Sequence, residues 1–225
     1  MTGATPTPGG ATRRGLAVLT VEPDRDPAIV ADRLRALVGA VPGLQASHAG
    51  VHLPGVVAPP GHGAGAITWD LVLDADAPHT PGDVLAHEAA HRLAGAVTVA
   101  TELGLDPIAS ARVTTPGSRV KRTLLLRVRA GSAPDAVDRF ESNVVEMPEH
   151  IASIRSWSLS RTTGRGPWTH AWEQEFASLD GLTGEYMLHP FHWTTVDAWF
   201  DPEVPDHIVD PVLAHLFAEY DAPVL

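Results

Sequence analysis

The stretch 168–192, WTHAWEQEFASLDGLTGEYMLHPFH, holds the side chains with the types and spacing for acid–base chemistry: His170, Tyr186, His189 and His192. An imidazole near neutrality takes a proton from a carbon next to a carbonyl, and a tyrosine hydroxyl hydrogen-bonds the enolate oxygen that forms. Tyr186, His189 and His192 follow one another at intervals of three, so a helix stacks them on one side. Trp168, Trp172 and Trp193 lie around them and would exclude water and hold a flat or apolar molecule. In a preceding segment Arg122 could bind a carboxylate or a thioester-derived anion in the same cavity. Plainer readings stand beside these. His189 could cap a helix before Pro190, His170 and Tyr186 could be satisfied core groups, and Arg122 a solvated charge at a strand end.

His87-Glu88-Ala89-Ala90-His91 is a rival site. On a helix H-E-x-x-H sets two imidazoles one turn apart for zinc, with the glutamate as general base. Arg92 follows where that motif prefers an uncharged residue, and Ala94 and Val97 stand where a glycine and a third histidine would be needed. Glu102 is the nearest downstream carboxylate that could complete a metal site. No metal and no cofactor is expected in the main reading.

The elements that must position these residues follow from apolar spacing and breakers. Residues 15–21 form a buried strand, and Asp26-Pro27 opens a helix with Val30, Leu34, Leu37, Val38 and Val41 at helical spacing. Strands are expected at 46–57 and 66–74, a helix from Thr80-Pro81 to about residue 103, and a strand at 108–113. After a linker at 114–119 the order begins again: a strand at 120–128, then a helix from Pro134 with Val137, Phe140, Val144, Met147 and Ile151 on one face. Strands at 154–161 and 168–176, a helix over 179–200 broken at Pro190, a loop at 201–211 and a last strand at 212–220 complete it. In the strand at 168–176, Trp168, His170, Trp172, Gln174 and Phe176 share one face by alternation.

Each half reads β-α-β-β-α-β, a split β-α-β of ferredoxin-like type with helices on one sheet face. Two such units in one chain can cover each other's bare faces. The expected fold class is therefore α+β, two repeats forming one pseudo-twofold barrel. The divisions are residues 1–13, a disordered lead-in rich in Thr, Pro and Gly, residues 14–115, and residues 118–225.

A net charge of −11 argues against a nucleic-acid partner, since phosphate binding needs a basic face. The absence of cysteine excludes disulfides, thiolate catalysis and cysteine–zinc sites. No apolar run is long enough to span a membrane, and the first residues lack the apolar core of a signal peptide, so a cytoplasmic protein is expected.

These features resemble the stress-responsive A/B-barrel (Dabb) family, within the dimeric α+β barrel group. VKRTLLLRVRAG looks like the family's opening strand, and WTHAWEQEF with EYMLHPFH looks like its third strand and its His-Pro-x-His segment. In the first half LAHEAAHRL stands in the place of the latter. The resemblance implies tandem copies that close a barrel within one chain, with a homodimer as a further assembly. A resembling plant polyketide cyclase closes an aromatic ring without cofactor. Its strand histidine falls on His170, its tyrosine on Tyr186 and its last histidine on His192, with one extra residue here near 181–184. Arg122 stands where that enzyme has a histidine.

The reading is an enzyme of small-molecule metabolism, a cofactor-independent cyclase or lyase on a carbonyl-bearing, polyketide-like or aromatic substrate. His170 and His192 are its acid–base pair and Tyr186 its oxyanion donor. Arg122, Trp168, Trp172, His189 and Trp193 line the substrate site, and Val84 stands where the first half would need its tyrosine. The alternatives are a ligand-binding barrel without catalysis, a cofactor-free monooxygenase, and a zinc hydrolase through His87, Glu88 and His91.

Overall fold

A computed structural model describes residues 11–225 apart from 56, 78, 79, 94 and 165. Most of the expected lead-in at 1–13 lies outside the described residues. Its last two positions belong to β1, Thr12–Val21.

The first half continues with α1 (Pro27–Arg35), β2 (Leu44–Val51), β3 (Ile67–Asp74), α2 (Pro81–Ala86) and β4 (Val97–Ala111). The Asp26 carboxylate caps α1 by accepting from the Ala28 amide at 2.8 Å, with Pro27 in the first turn. Its buried face is Val30, Ala31 and Leu34. Thr80 and Asp83 form a reciprocal capping box on α2. That helix nevertheless stops at Ala86, where His87 turns extended, and a 3-10 turn covers Glu88–Leu93. The expected helix to residue 103 is thus a correction. Gly95 takes a φ of 73°, and the alternating β-branched Val97, Thr98, Val99 and Thr101 begin a 15-residue strand eleven residues before its expected start at 108.

The second half holds β5 (Arg119–Leu126), α3 (Pro134–His150), β6 (Ile154–Thr163), β7 (His170–Phe176) and β8 (Ala214–Tyr220). α3 buries Phe140, Glu141, Val144 and Met147. Between β7 and β8 the broken helix contains two π-helical turns, Gly181–Tyr186 and His192–Val196.

All eight strands form one antiparallel sheet in the order β2-β3-β1-β4-β6-β7-β5-β8, ferredoxin-like within each group of four. The helices of each group cover one face. α1 lies over Ala17, Leu19, Trp69 and Leu71, and α3 over Leu124, Leu159, Trp172 and Phe176. The opposite faces of the two groups meet in a third core that brings Leu16, Val18 and Leu103 against Leu125, Ala171 and Leu216.

The expected closed barrel is not formed. β2 and β8 remain the ends of the sheet with no ladder between them among the described residues; just beyond β2, His52 and Val57 form isolated bridges to Ala218 and His215. The Tyr220 ring lies over Gly50, where an added Cβ would sit 2.5 Å from it, and a cavity of about 410 Å³ lined by His48, His52 and Tyr220 opens in the seam. A side chain occupies the place where backbone pairing would close the sheet.

The inward faces also bury charge. Lys121 Nζ lies 2.7 Å from Asp70 Oδ1 and 2.8 Å from Glu173 Oε1. Arg14 reaches Glu173 at 2.7 Å and Asp70 at 3.2 Å. Burial alone would raise the Glu173 carboxyl, but Arg14 and Lys121 outweigh it and hold it down to about 2. Burial likewise opposes the Lys121 charge, and Asp70 and Glu173 overcome it. Replacing Lys121 with Met leaves two buried carboxylates facing one cation. Chemical denaturation should show a loss of roughly 3–5 kcal/mol. Adding Glu173→Gln to that variant should recover part of the loss, because Arg14 and Asp70 then balance.

Candidate active site

Successive residues of a strand point to opposite faces. On β5, Lys121, Thr123 and Leu125 face the other half, while Val120, Arg122, Leu124 and Leu126 face α3 and the π-helical turns. On β7 the outward set is His170, Trp172, Gln174 and Phe176. The polar members of these two sets make the site.

Arg122 is 3% exposed. It donates to Gln174 Oε1 at 2.8 Å and lies 3.3 Å from His215 Nε2. Its guanidinium carbon is 5.3 Å from the centre of the Tyr186 ring, within cation–π range. Among the described residues no carboxylate pairs with it. Burial disfavours its charge, and Tyr186 and the more distant Asp197 only partly offset this. Tyr186, also buried, meets the His192 ring at 4.6 Å and Phe176 at 5.3 Å between centroids. Burial pushes the Tyr186 hydroxyl up, so it stays protonated as a donor.

His192 is buried, with Nε2 3.5 Å from Asp197 Oδ1 and Nδ1 without a partner. Burial, then the charge of Arg122, lowers it to about 4. His215 falls to about 3 for the same two reasons. Both imidazoles are therefore neutral at pH 7. Tyr186 ends one π-helical turn and His192 begins the next. Such turns are rare and concentrate at functional sites.

The structure separates other residues of the expected site. His170 sits four residues before Gln174 on β7, about 13 Å along the strand. Its Nε2 meets Glu141 Oε1 at 3.0 Å and its Nδ1 the Thr169 hydroxyl at 2.8 Å. Glu141 is gripped in turn by two nitrogens of Arg161, at 2.8 and 3.0 Å. This is a complete network, and no contact joins the His170 and His192 rings among the described residues. Trp168 precedes β7 and points into the core between the halves, near His62. Trp172 lies in the outward core against Trp157, with Nε1 unpartnered. His189 is half-buried and its Nδ1 accepts from the Phe191 amide at 3.2 Å, capping the break at Pro190. Trp193 is 58% exposed on the outer surface. Sequence reasoning named Gln174 only as a face residue and missed His215 and Asp197. His215 stands in an edge strand with no motif around it.

His87 and His91 do not stack. His87 has left the helix, its Nδ1 accepting from Ala89, and His91 Nδ1 lies 2.7 Å from the Glu88 carbonyl. Zinc binding by H-E-x-x-H needs both imidazoles on one α-helical face. Among the described residues no group of three or more His, Cys, Asp or Glu is placed to hold a metal. A larger cavity, about 750 Å³, lies by β1, β4 and α2 with Arg14 in its wall, away from the Arg122 cluster. No helix of the described residues is long and apolar enough to cross a membrane.

The profile of the stress responsive A/B barrel domain matches residues 120–210. This corrects the expectation of tandem copies, since the first half is not matched. No curated protein is matched in sequence. Solved structures share the fold over nearly the whole chain. One is a proposed monooxygenase of Fusobacterium nucleatum, with TM-score 0.58 at 10% identity, covering 95% of this chain and 97% of that one. Another is an anthrone oxidase-like protein, with TM-score 0.59 at 8% identity over 95% and 94%. A chlorite dismutase of Candidatus Nitrospira defluvii gives TM-score 0.52 at 10% identity over 92% and 90%. At these identities the likeness establishes the fold. Nothing in these likenesses bears on the expected cyclase or lyase chemistry, and the two histidines named for it serve different networks.

Unfolded histidines titrate near 6.5. His192 and His215 take up protons in the folded chain only near 4 and 3. The unfolded form binds more protons between these values, so stability falls as pH drops from about 6.5 towards 3. Thermal melts from pH 7 to pH 4 should show this fall. His192→Gln and His215→Gln should each flatten it.

Proposed function

We propose that this chain is a small-molecule oxygenase that activates an enolisable carbonyl compound at the Arg122–Tyr186–His192 cluster. The observation that carries the reading is the state of His192: buried, neutral, with Nδ1 unpartnered and the Tyr186 ring beside it. In this reading the ring proton sits on Nε2, 3.5 Å from Asp197 Oδ1, which leaves Nδ1 as the base. It takes the proton from the carbon next to the carbonyl, and the Tyr186 hydroxyl donates to the developing enolate oxygen. Arg122 supplies the positive field that favours the anion. The enolate, electron-rich and shielded from water, is what dioxygen oxidises. A methylene becomes a carbonyl, and the second oxygen atom leaves as water with the two hydrogens. The monooxygenase and anthrone oxidase-like names of the structural neighbours support this class of reaction.

A second reading is a ligand-binding protein without turnover. It is favoured by the position of the two cavities, both away from Arg122.

The test is oxygen consumption with anthrone as probe, above its autoxidation rate. The intact protein should accelerate uptake, and His192→Gln should lower the rate about 100-fold or more, in the range of a lost general base. Trp193→Ala, at the surface, should leave it unchanged. Equal uptake by the His192→Gln variant would remove His192 from the reaction.

A further inference from the structure

Among the described residues the buried Lys121 and the part-buried Arg14 pair with Asp70 and Glu173, and at the surface Arg161 pairs with Glu141 and Arg127 with Asp210. Arg122 is buried more deeply than any of these except Lys121, and no carboxylate pairs with it. A guanidinium cannot shed its proton to relieve this. Its acceptors are a neutral amide oxygen and a neutral imidazole nitrogen, two for five N–H donors.

The groups beside it deepen the imbalance. Gln174 gives its oxygen to Arg122, and its buried amide nitrogen is turned to the Tyr186 hydroxyl without a bond of ordinary length. Trp172, two residues back on the same face of β7, buries an indole N–H without a partner. Both belong to the outward face that carries Arg122, and both are donors. Buried polar groups of native proteins are ordinarily satisfied. What would satisfy this set is an acceptor with a negative charge.

We infer that the cluster is a carboxylate site, taking a flat aromatic acid whose carboxylate pairs with Arg122 while its ring lies against Trp172 and Tyr186. Carboxylate geometry matches the two-nitrogen face of a guanidinium, and the aromatic side chains supply a flat apolar surface. The location rests on the proposed active site, and the inference names its substrate class.

The experiment is equilibrium binding of 2-naphthoate to the full chain, followed by tryptophan fluorescence, with 2-naphthamide as the neutral match in shape. Naphthoate should bind at least tenfold more tightly. Arg122→Met should abolish that preference while melting at the same temperature or above, because an unpaired buried charge has been removed. Trp172→Phe should lose half or more of the naphthoate-dependent quench and locates the site should the Arg122 variant fail to fold. Equal binding of acid and amide, or an undiminished preference in Arg122→Met, would overturn the inference. Naphthoate binding with no oxygen uptake on any enolisable probe would remove the oxygenase and leave the carboxylate site. Oxygen uptake on anthrone with no preference for the acid would do the reverse.

Discussion

Arg14, Asp70, Lys121 and Glu173 come from four strands and two halves of the chain, and meet in the interior with their charges balanced. Placing four ions there costs several kcal/mol each in lost hydration, and only close geometry returns it. That geometry exists only when β1 and β3 face β5 and β7. The cluster therefore specifies how the halves sit, which the apolar core around Leu16, Leu103 and Leu125 favours without dictating. Tyr220 adds a hydroxyl 3.4 Å from Asp70 Oδ2 and brings the last strand into the same contact. It also fills the seam over Gly50, so the interaction that fixes the two halves helps to keep the sheet from closing.

Lys121 and Arg122 are neighbours in sequence with opposite fates. The pleat sends Lys121 inward to two carboxylates and Arg122 outward to an amide and an imidazole. On β7 the same alternation gives Glu173 to the interior and Gln174 to the site. One residue along the strand thus separates the structural ion cluster from the proposed site. Gln174 is the telling residue. A glutamate there would have neutralised Arg122 and closed the outward site as Glu173 closes the inward one.

The sequence shows most where periodicity is strong. The spacing of Phe140, Val144 and Met147 marks the buried face of α3, and alternation places Trp172, Gln174 and Phe176 together. It misleads where two periods compete. LAHEAAHRL has helical composition, but the chain must leave the sheet-covering layer and turn at Gly95, so one helical turn tightens to 3-10 and the zinc-like spacing dissolves. Trp168 reads as a fourth aromatic on the outward face of β7. The strand starts only at His170, and the freed tryptophan turns to the other core. The ion cluster was illegible because its members lie between 14 and 173 in sequence and obey no local pattern. The single lysine was visible, but nothing local showed that it would be buried.

The two π-helical turns explain why the site could be glimpsed and still misjudged. In an ordinary α-helix, Tyr186, His189 and His192 would stack as one stripe, and all three would face the sheet. Between these turns the helix breaks at His189, before Pro190. Tyr186 and His192 remain buried and touch, while His189 moves to the rim to cap the break. The histidine that a regular helix would have placed beside Tyr186 and His192 becomes structural. His215, which no helix spacing could indicate, takes its place beside Arg122. A site built this way combines an uncompensated cation with neutral bases. It is less stable than an apolar packing of the same volume would be. The balanced charges on the inner face hold the sheet in place while the outer face keeps that imbalance, which the carboxylate proposed for this site would relieve.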